Sequence, residues 1–143
     1  MNIEEVKISG ELKTALSHEG LPIDDIDDTD KVRFLGIKEG SILLGVIGLE
    51  IYENIVLLRS LIVDEQYRGK GFGIFLMNAA EDWCRERQLE QLYLLTTNAQ
   101  AFFQTLHYEE IERVKVPEVI KATSQFSSLC PADATVMHKS LAA

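Results

Sequence analysis

The sequence predicts a mixed α/β (α+β) domain built on a single sheet. Three observations predict it. The chain has 143 residues, which suits one domain over 1–143 and a core that needs no disulfide or metal. Three strand-like segments follow one another between residues 32 and 63, with turn residues between them. Helical segments then alternate with further strands toward the C-terminus. No internal repeat, low-complexity stretch or linker divides the chain.

The elements follow in order. Residues 3–8 read as a short strand. Leu12, Ala15 and Leu16 recur at helical spacing over 11–18, and Gly20-Leu21-Pro22 breaks that helix. Asp24-Asp25-Ile26-Asp27-Asp28-Thr29-Asp30 is an acidic run. A calcium loop counted from Asp25 would put Asp30 where Gly is needed and Gly36 where the bidentate Glu is needed, so a solvated loop is expected. Residues 32–38 form a strand, Glu39-Gly40 a hairpin turn, and 41–50 the return strand. After a turn at Glu53-Asn54, residues 55–63 are apolar except for Arg59 and Ser60, as in a central strand buried on both faces. Over 71–87, Phe72, Phe75, Leu76, Ala79 and Trp83 give the clearest helix, with Glu81, Asp82, Arg85, Glu86 and Arg87 on its other face. A strand at 91–96, a helix at 99–106, a strand at 108–114, a helical turn at 117–122 and a closing strand at 134–141 complete the order.

Composition narrows function. The chain carries 23 acidic and 14 basic residues, a net charge of −9. Such a surface repels phosphate backbones and anionic membranes and steers cationic small molecules inward, so neither nucleic acid nor membrane is expected as a partner. No apolar run approaches the roughly 18 residues of a membrane span. Met1-Asn2-Ile3-Glu4-Glu5-Val6 has neither the basic start nor the apolar stretch of a leader. Cys84 and Cys130 form no disulfide framework, and His18, His107 and His138 show no ligand spacing. A cytoplasmic, reduced, metal-free protein is the expectation.

Chemistry concentrates where the 55–63 strand meets the long helix, at Val63-Asp64-Glu65-Gln66-Tyr67-Arg68-Gly69-Lys70-Gly71-Phe72-Gly73. Glycines let a backbone approach an anion, the first N–H groups of a helix point at it, and the helix dipole, Arg68 and Lys70 favour negative charge. Basic residues are otherwise unfavourable at a helix start, so an anion site explains them better than a simple turn. The stretch lacks the Gly-Lys-Ser/Thr ending of a P-loop, and Leu76 stands at the third glycine of a dinucleotide fingerprint.

Arg68-Gly69-Lys70-Gly71-Phe72-Gly73 resembles the acetyl-CoA site of the GNAT N-acetyltransferase superfamily, whose pattern is Arg/Gln-x-x-Gly-x-Gly/Ala after the fourth strand. The likeness covers residues 32–112 and, more loosely, the whole chain. It implies a GNAT fold: one mixed, mostly antiparallel sheet, helices on both faces, and a splay between the central strands. It implies that N–H groups of Arg68, Gly69, Lys70, Gly71, Phe72 and Gly73 hold the pyrophosphate of acetyl-CoA. It implies that Leu61, Ile62 and Val63 pair by backbone with the pantetheine arm, with Asn98 near that arm. The family often has Tyr in the next helix as the proton donor. Here Phe103 stands there, which implies packing on the cofactor arm in place of acid chemistry, and His107 replaces the following Gly. Members are often dimers, although nothing in this sequence identifies an interface.

Gly48-Leu49-Glu50, Leu57-Leu58-Arg59-Ser60-Leu61, Leu94-Leu95-Thr96-Thr97, Ala101-Phe102-Phe103 and Ser128-Leu129-Cys130-Pro131 together resemble the small arsenic-resistance-associated N-acetyltransferases. Acetylating a small-molecule amine needs a base, an oxyanion stabiliser and a proton route. Glu50 is the candidate base, directly or through water, or else a solvated strand-end carboxylate. Tyr108 is a substitute acid or a core tyrosine. Arg59 clamps the carboxylate of an amino-acid-like substrate or forms an internal ion pair, Glu50 being the named partner. Thr96 lies at the substrate end of its strand. Cys130 binds a soft arsenical, donates a proton or is buried. The expected function is acetyl-CoA-dependent N-acetylation by direct attack. The alternatives are an acyl-CoA sensor without turnover and a thiol-based arsenical binder.

Overall fold

The computed structural model describes residues 2–6, 32–40, 42–123, 126 and 134–142. The expected helix at 11–18, the acidic run and Cys130 lie outside these residues. The described elements are β1 (Asn2–Val6), β2 (Val32–Glu39), β3 (Ile42–Tyr52), β4 (Ile55–Val63), α1 (Phe72–Glu86), β5 (Gln91–Thr96), α2 (Gln100–Thr105), β6 (Glu109–Glu110), α3 (Glu118–Lys121) and β7 (Thr135–Ser140). Short 3-10 turns occupy Glu65–Tyr67 and Arg113–Lys115.

The strands form one sheet in the order β1-β2-β3-β4-β5-β7-β6. Every pairing is antiparallel except β4 with β5. That parallel pair follows from the crossover through α1, which carries the chain back along the sheet. Val56 and Leu58 of β4 face α1, while Leu57 faces the side of α3 with Tyr93, Val116, Ile120 and Val136. Helices therefore cover both faces, and β4 reads as an apolar run because both of its faces are buried.

Three expectations change. The strand at 108–114 shrinks to Glu109–Glu110, because Tyr108 turns into the core and the chain then coils into the turn at 113–115. The strand expected to end at Glu50 runs on to Tyr52, which leaves Glu50 buried inside it. On α1 the buried stripe is Leu76, Met77, Ala80, Glu81 and Cys84, while Phe75 stays 45% exposed. Small Ala80 and Cys84 let the helix approach the sheet, and bulky Trp83 sits at the flank beneath Arg87, whose guanidinium lies 3.8 Å from the ring centroid. Glu81 thus belongs to the core side.

The feature that shapes the site is a bulge. Gly48 pairs with Arg59 and Val46 with Ile62, so β4 carries one residue more than β3 across this stretch. Ser60 takes up the difference with φ +58°, a left-handed backbone in a non-glycine residue. Pairing of β4 with β5 runs from Ile55 opposite Gln91 to Leu58 opposite Leu94 and stops there. Bulges bend and twist a strand, and here the bend separates β4 from β5 and opens the sheet.

Ser60 should therefore resist β-branched replacement. Ser60→Val is expected to lower the unfolding free energy by about 1–3 kcal/mol, read from the urea midpoint, while Ser60→Gly holds or raises it. Equal midpoints for the two variants would show that the positive φ carries no strain.

Candidate active site

β4 delivers the chain to the opening. Asp64 ends the strand: its N–H donates to the Leu44 carbonyl (2.8 Å) and its carboxylate accepts the Gln66 N–H (3.0 Å). The Asp64 N–H bond to β3, and the Ile62 carbonyl lying 3.2 Å from where a Gly45 Cβ would stand, show the direction of the even-numbered backbone groups. Those groups turn to β3. By strand alternation the N–H and C=O groups of Leu61 and Val63 turn to the β5 side, where no described strand pairs with them. This corrects the expectation for Ile62, whose backbone serves β3 and not the opening. The Arg68 side chain returns over the turn, its Nε donating to the Val63 carbonyl (2.9 Å).

Gly69 (φ +79°) and Gly71 (φ +85°) follow, and a Cβ built on either meets no atom within 4 Å. Gly71 is the N-cap of α1 and brings no side chain to its N–H groups. The first helical bond is from Phe75 N–H to the Gly71 carbonyl (3.0 Å), so the N–H groups of Phe72, Gly73 and Ile74 stand ahead of the ladder. No acidic residue lies in the first turn. Lys70 holds its ammonium 5.5 Å from the Tyr67 ring centroid, and Tyr67 stacks on Phe72 at 5.8 Å. Across from this start, Phe102 of α2 would lie 3.5 Å from a Gly73 Cβ. Leu61, Val63, Arg68, Gly69, Lys70, Gly71, Phe72 and Gly73 thus share one rim. It combines a free strand edge, a helix start, two cations and open space.

The other expected residues lie elsewhere. Asn98 is exposed at the β5–α2 turn. Thr96 is buried and its Oγ1 accepts the Ala99 N–H (2.9 Å), so its hydroxyl closes that turn and is not presented to a substrate. Phe103 is buried in the α1-side core, edge-on to Phe102 at 5.0 Å and to Tyr108 at 6.1 Å. Phe102, which the motif reading did not single out, is the ring nearer the rim.

Tyr108 is a core tyrosine, not an available acid. It is 1% exposed and its hydroxyl donates to Glu81 Oε2 (3.0 Å). Burial, and then the Glu81 charge, push its pKa up, away from proton donation. Glu81 also accepts from Lys139 Nζ (2.9 Å), which donates to the Leu106 carbonyl as well (3.0 Å). Cys84 lies beside this cluster, fully buried, and burial pushes its thiol up to about 12, which suits packing.

On the face opposite α1, Arg59 Nη1 donates to Glu50 Oε1 (2.9 Å), and the two side chains are 1% and 5% exposed. Tyr52 donates to Glu50 Oε2, and Arg59 Nε reaches Ser60 Oγ at 3.4 Å. Of the two readings of Arg59, the internal ion pair is the one observed. Glu50 is no solvated strand-end carboxylate, since both of its oxygens are bonded within the fold. The sequence offered Arg59 as a charge in an apolar strand and Glu50 as a strand-end carboxylate and its named partner, but carried no sign of Tyr52.

Among the described residues no helix is long and apolar enough to cross a membrane, and no cluster of His, Cys, Asp and Glu is placed to hold a metal ion. The model of the acetyltransferase (GNAT) family matches residues 7–108. An uncharacterized N-acetyltransferase of Chlorobaculum tepidum is 38% identical over 63 residues, which span 44% of this chain and 40% of that protein. Among solved structures, Tetrahymena GCN5 superposes with a TM-score of 0.76 at 18% identity, covering 99% of this chain and 97% of that one. N-acetylglutamate synthase from Neisseria gonorrhoeae, complexed with coenzyme A and N-acetyl-glutamate, superposes with a TM-score of 0.76 at 16% identity, covering 100% of this chain and 36% of that one. At these identities the two structures establish the shared fold.

One pH effect follows from the β5–β7 seam. His138 hydrogen-bonds Gln91 Oε1 (2.7 Å) and packs on Tyr93 at 4.7 Å, and burial lowers its pKa below the usual 6.5 despite the opposing pull of Glu109. The unfolded chain therefore gains a proton near pH 6.5 that the folded one takes up only at lower pH, so this contribution to stability is lost as pH falls through 6.5. His138→Gln should flatten the change in urea midpoint between about pH 7.5 and 5.5 relative to wild type. An unchanged slope would remove His138 as its source.

Proposed function

The chain belongs to the acetyltransferase (GNAT) family, and from that premise we propose that it transfers acetyl from acetyl-CoA to a small-molecule amine by direct attack. The observation that carries this is the rim itself, where an edge of β4 that no described strand covers, at Leu61 and Val63, runs straight into a glycine-capped helix start. The residues fit the donor. An extended amide arm finds strand-like partners in the Leu61 backbone and the Val63 N–H, as a peptide finds a sheet edge, while Arg68 holds the Val63 carbonyl. A pyrophosphate finds the N–H groups of Phe72, Gly73 and Ile74, the positive end of α1, and the cations of Arg68 and Lys70. The open space at Gly69 and Gly71 lets the backbone approach it.

When bound, acetyl-CoA supplies an acetyl thioester. The cationic amine would first give one proton to solvent; its neutral nitrogen would then form the new C–N bond as the C–S bond breaks, and the second proton would end on the released thiol. A β4 N–H group turned into the opening, at Leu61 or Val63, stabilises the negative charge on the carbonyl oxygen. The net charge of −9 draws cationic amines toward the protein. An amino-acid-like acceptor rested on Arg59 as a carboxylate clamp, and the Arg59 bond to Glu50 weakens that choice, so we propose an amine without a carboxylate requirement. The described segments that resemble arsenic-resistance-associated proteins build β3, β4, β5 and α2, so they speak for scaffold more than for acceptor. We propose no arsenical as substrate.

A second reading, an acyl-CoA sensor without turnover, draws on Phe103 and Tyr108. The first has no hydroxyl, and the second spends its hydroxyl on Glu81.

Calorimetric titration of acetyl-CoA into wild type and Gly71→Asp tests the proposal. Asp adds a negative charge at the helix start and a side chain at φ +85°. Binding should weaken by about 100-fold or more, roughly the loss of one charge-assisted contact plus a like-charge repulsion. Thiol release with a panel of amines should then find an acceptor in wild type. Tight binding with no release from any amine favours the sensor. No binding to wild type sinks both readings.

A further inference from the structure

We infer that the buried Glu50–Arg59 pair is a positioning device that holds the Ser60 bulge, and through it the free edge of β4 on which the donor reading above rests. The geometry forms a strut. Arg59 is the last β4 residue before the bulge, where Ser60 and Leu61 together stand opposite Ile47 and Ser60 takes the left-handed backbone. The Arg59 stem crosses Gly48, where a Cβ would stand 3.0 Å from Arg59 Cγ and 3.1 Å from its carbonyl oxygen. Only glycine lets the side chain lie this close to β3. From there Nη1 reaches Glu50 at 2.9 Å, while Nε points back to Ser60 Oγ at 3.4 Å. Glu50 is a firm anchor. It sits inside β3, opposite Val32 of β2 and Leu57 of β4, and its second oxygen is held by Tyr52.

The pair therefore ties the bulged part of β4 to β3 where β4 parts from β5, after Leu58. A strand with a left-handed residue and no described strand beside it on one side gains from such a tie. Without it, β4 is free to extend its pairing past Leu58, bringing Arg59 and Ser60 opposite Leu95 and Thr96, the next residues of β5, and to close the opening. The pair acts through the backbone, not as base or clamp. Both Glu50 oxygens carry bonds and the Arg59 side chain is 1% exposed.

The test uses the full chain. Arg59→Met keeps the stem and removes the tie, but it strands a buried carboxylate and risks misfolding. The double variant Glu50→Gln/Arg59→Met removes both charges and keeps the test alive. Either folded variant should bind acetyl-CoA at least about tenfold more weakly by calorimetry. The KM for acetyl-CoA should rise in step, and the acceptor KM should change less than about threefold. Arg59→Lys, which can still reach Glu50, should restore most of the affinity. Glu50→Gln alone should keep the acid limb of the pH–rate profile. Wild-type donor affinity in the folded double variant overturns the proposal while leaving the acetyltransferase reading intact. So does loss of the acid limb in Glu50→Gln with donor binding unchanged, which makes Glu50 a base, or a rise in acceptor KM alone, which makes Arg59 a clamp. Wild type that binds no acetyl-CoA removes the reading on which the inference rests.

Discussion

A sheet normally satisfies every backbone donor and acceptor in its interior, and this one stops doing so in the middle. Pairing between β4 and β5 ends at Leu58 opposite Leu94, yet both strands continue. No described strand pairs with the Leu61 groups or the Val63 N–H, the Val63 carbonyl being held by Arg68; such groups would be costly if buried dry, so the opening is a place for a polar chain or water. Everything distinctive about the molecule is arranged around this break. The bulge at Ser60 bends β4 away, and Asp64 stops the strand. The turn through Gly69 and Gly71 then aims the start of α1 back at the same gap. Strand edge and helix start are two forms of one resource, backbone N–H groups without internal partners.

Charge is buried on both faces of the sheet, and the two clusters differ in what they tie. Glu81 joins α1 to β7 through Lys139 and to the segment after α2 through Tyr108, so it fastens layers that hydrophobic contact already holds. Glu50 and Arg59 join neighbouring strands that the sheet ladder already pairs, so packing alone gives them little reason to exist. Burying two charges costs several kcal/mol per ion before their attraction returns it, and apolar residues of similar volume would often be as stable. The strain at Ser60 supplies the reason. A rigid, directional bond can hold a backbone bend where a greasy contact would let it relax.

Much of this was legible in the residues. The meander shows in its turns at Glu39-Gly40 and Glu53-Asn54. β4 and β5 fall within their expected bounds because apolar runs closed by polar turns leave little latitude. The glycine-rich turn into α1 stood out because basic residues at a helix start are anomalous, and that anomaly is what suggested an anion site. The bulge was not, since Ser60 carries no glycine signature and left-handed serine is decided by the surrounding sheet. Nor was the orientation of α1. Its apolar residues span a wide arc, and only contact with the sheet selects Leu76, Met77, Ala80 and Cys84 over Phe75 and Trp83. Of the two readings of Tyr108 the core tyrosine is the one observed, and sequence alone could not show what either Tyr108 or Thr96 bonds. A hydroxyl near a motif looks catalytic in one dimension, whereas in the fold each is taken by a neighbour, Glu81 or Ala99.

An acidic protein with an anionic donor looks contradictory until distances are considered. The net charge of −9 acts over the whole surface, but at physiological salt charges more than about 8 Å apart are largely screened. Contacts at hydrogen-bond range are not. At the rim, the helix start, Arg68 and Lys70 act at that range, and no acidic side chain stands in the first turn of α1 to oppose them. The long-range field and the local site can therefore do opposite things. In the proposed reaction the field concentrates a cationic amine around the molecule, while the rim holds the anionic donor against it. Raising the ionic strength weakens the first effect sooner than the second, because the contacts at the rim are short, directional and made largely by backbone groups that carry no net charge. Such a division places the two reactants by two different physical ranges, and it spares the fold a large basic patch that would attract nucleic acid.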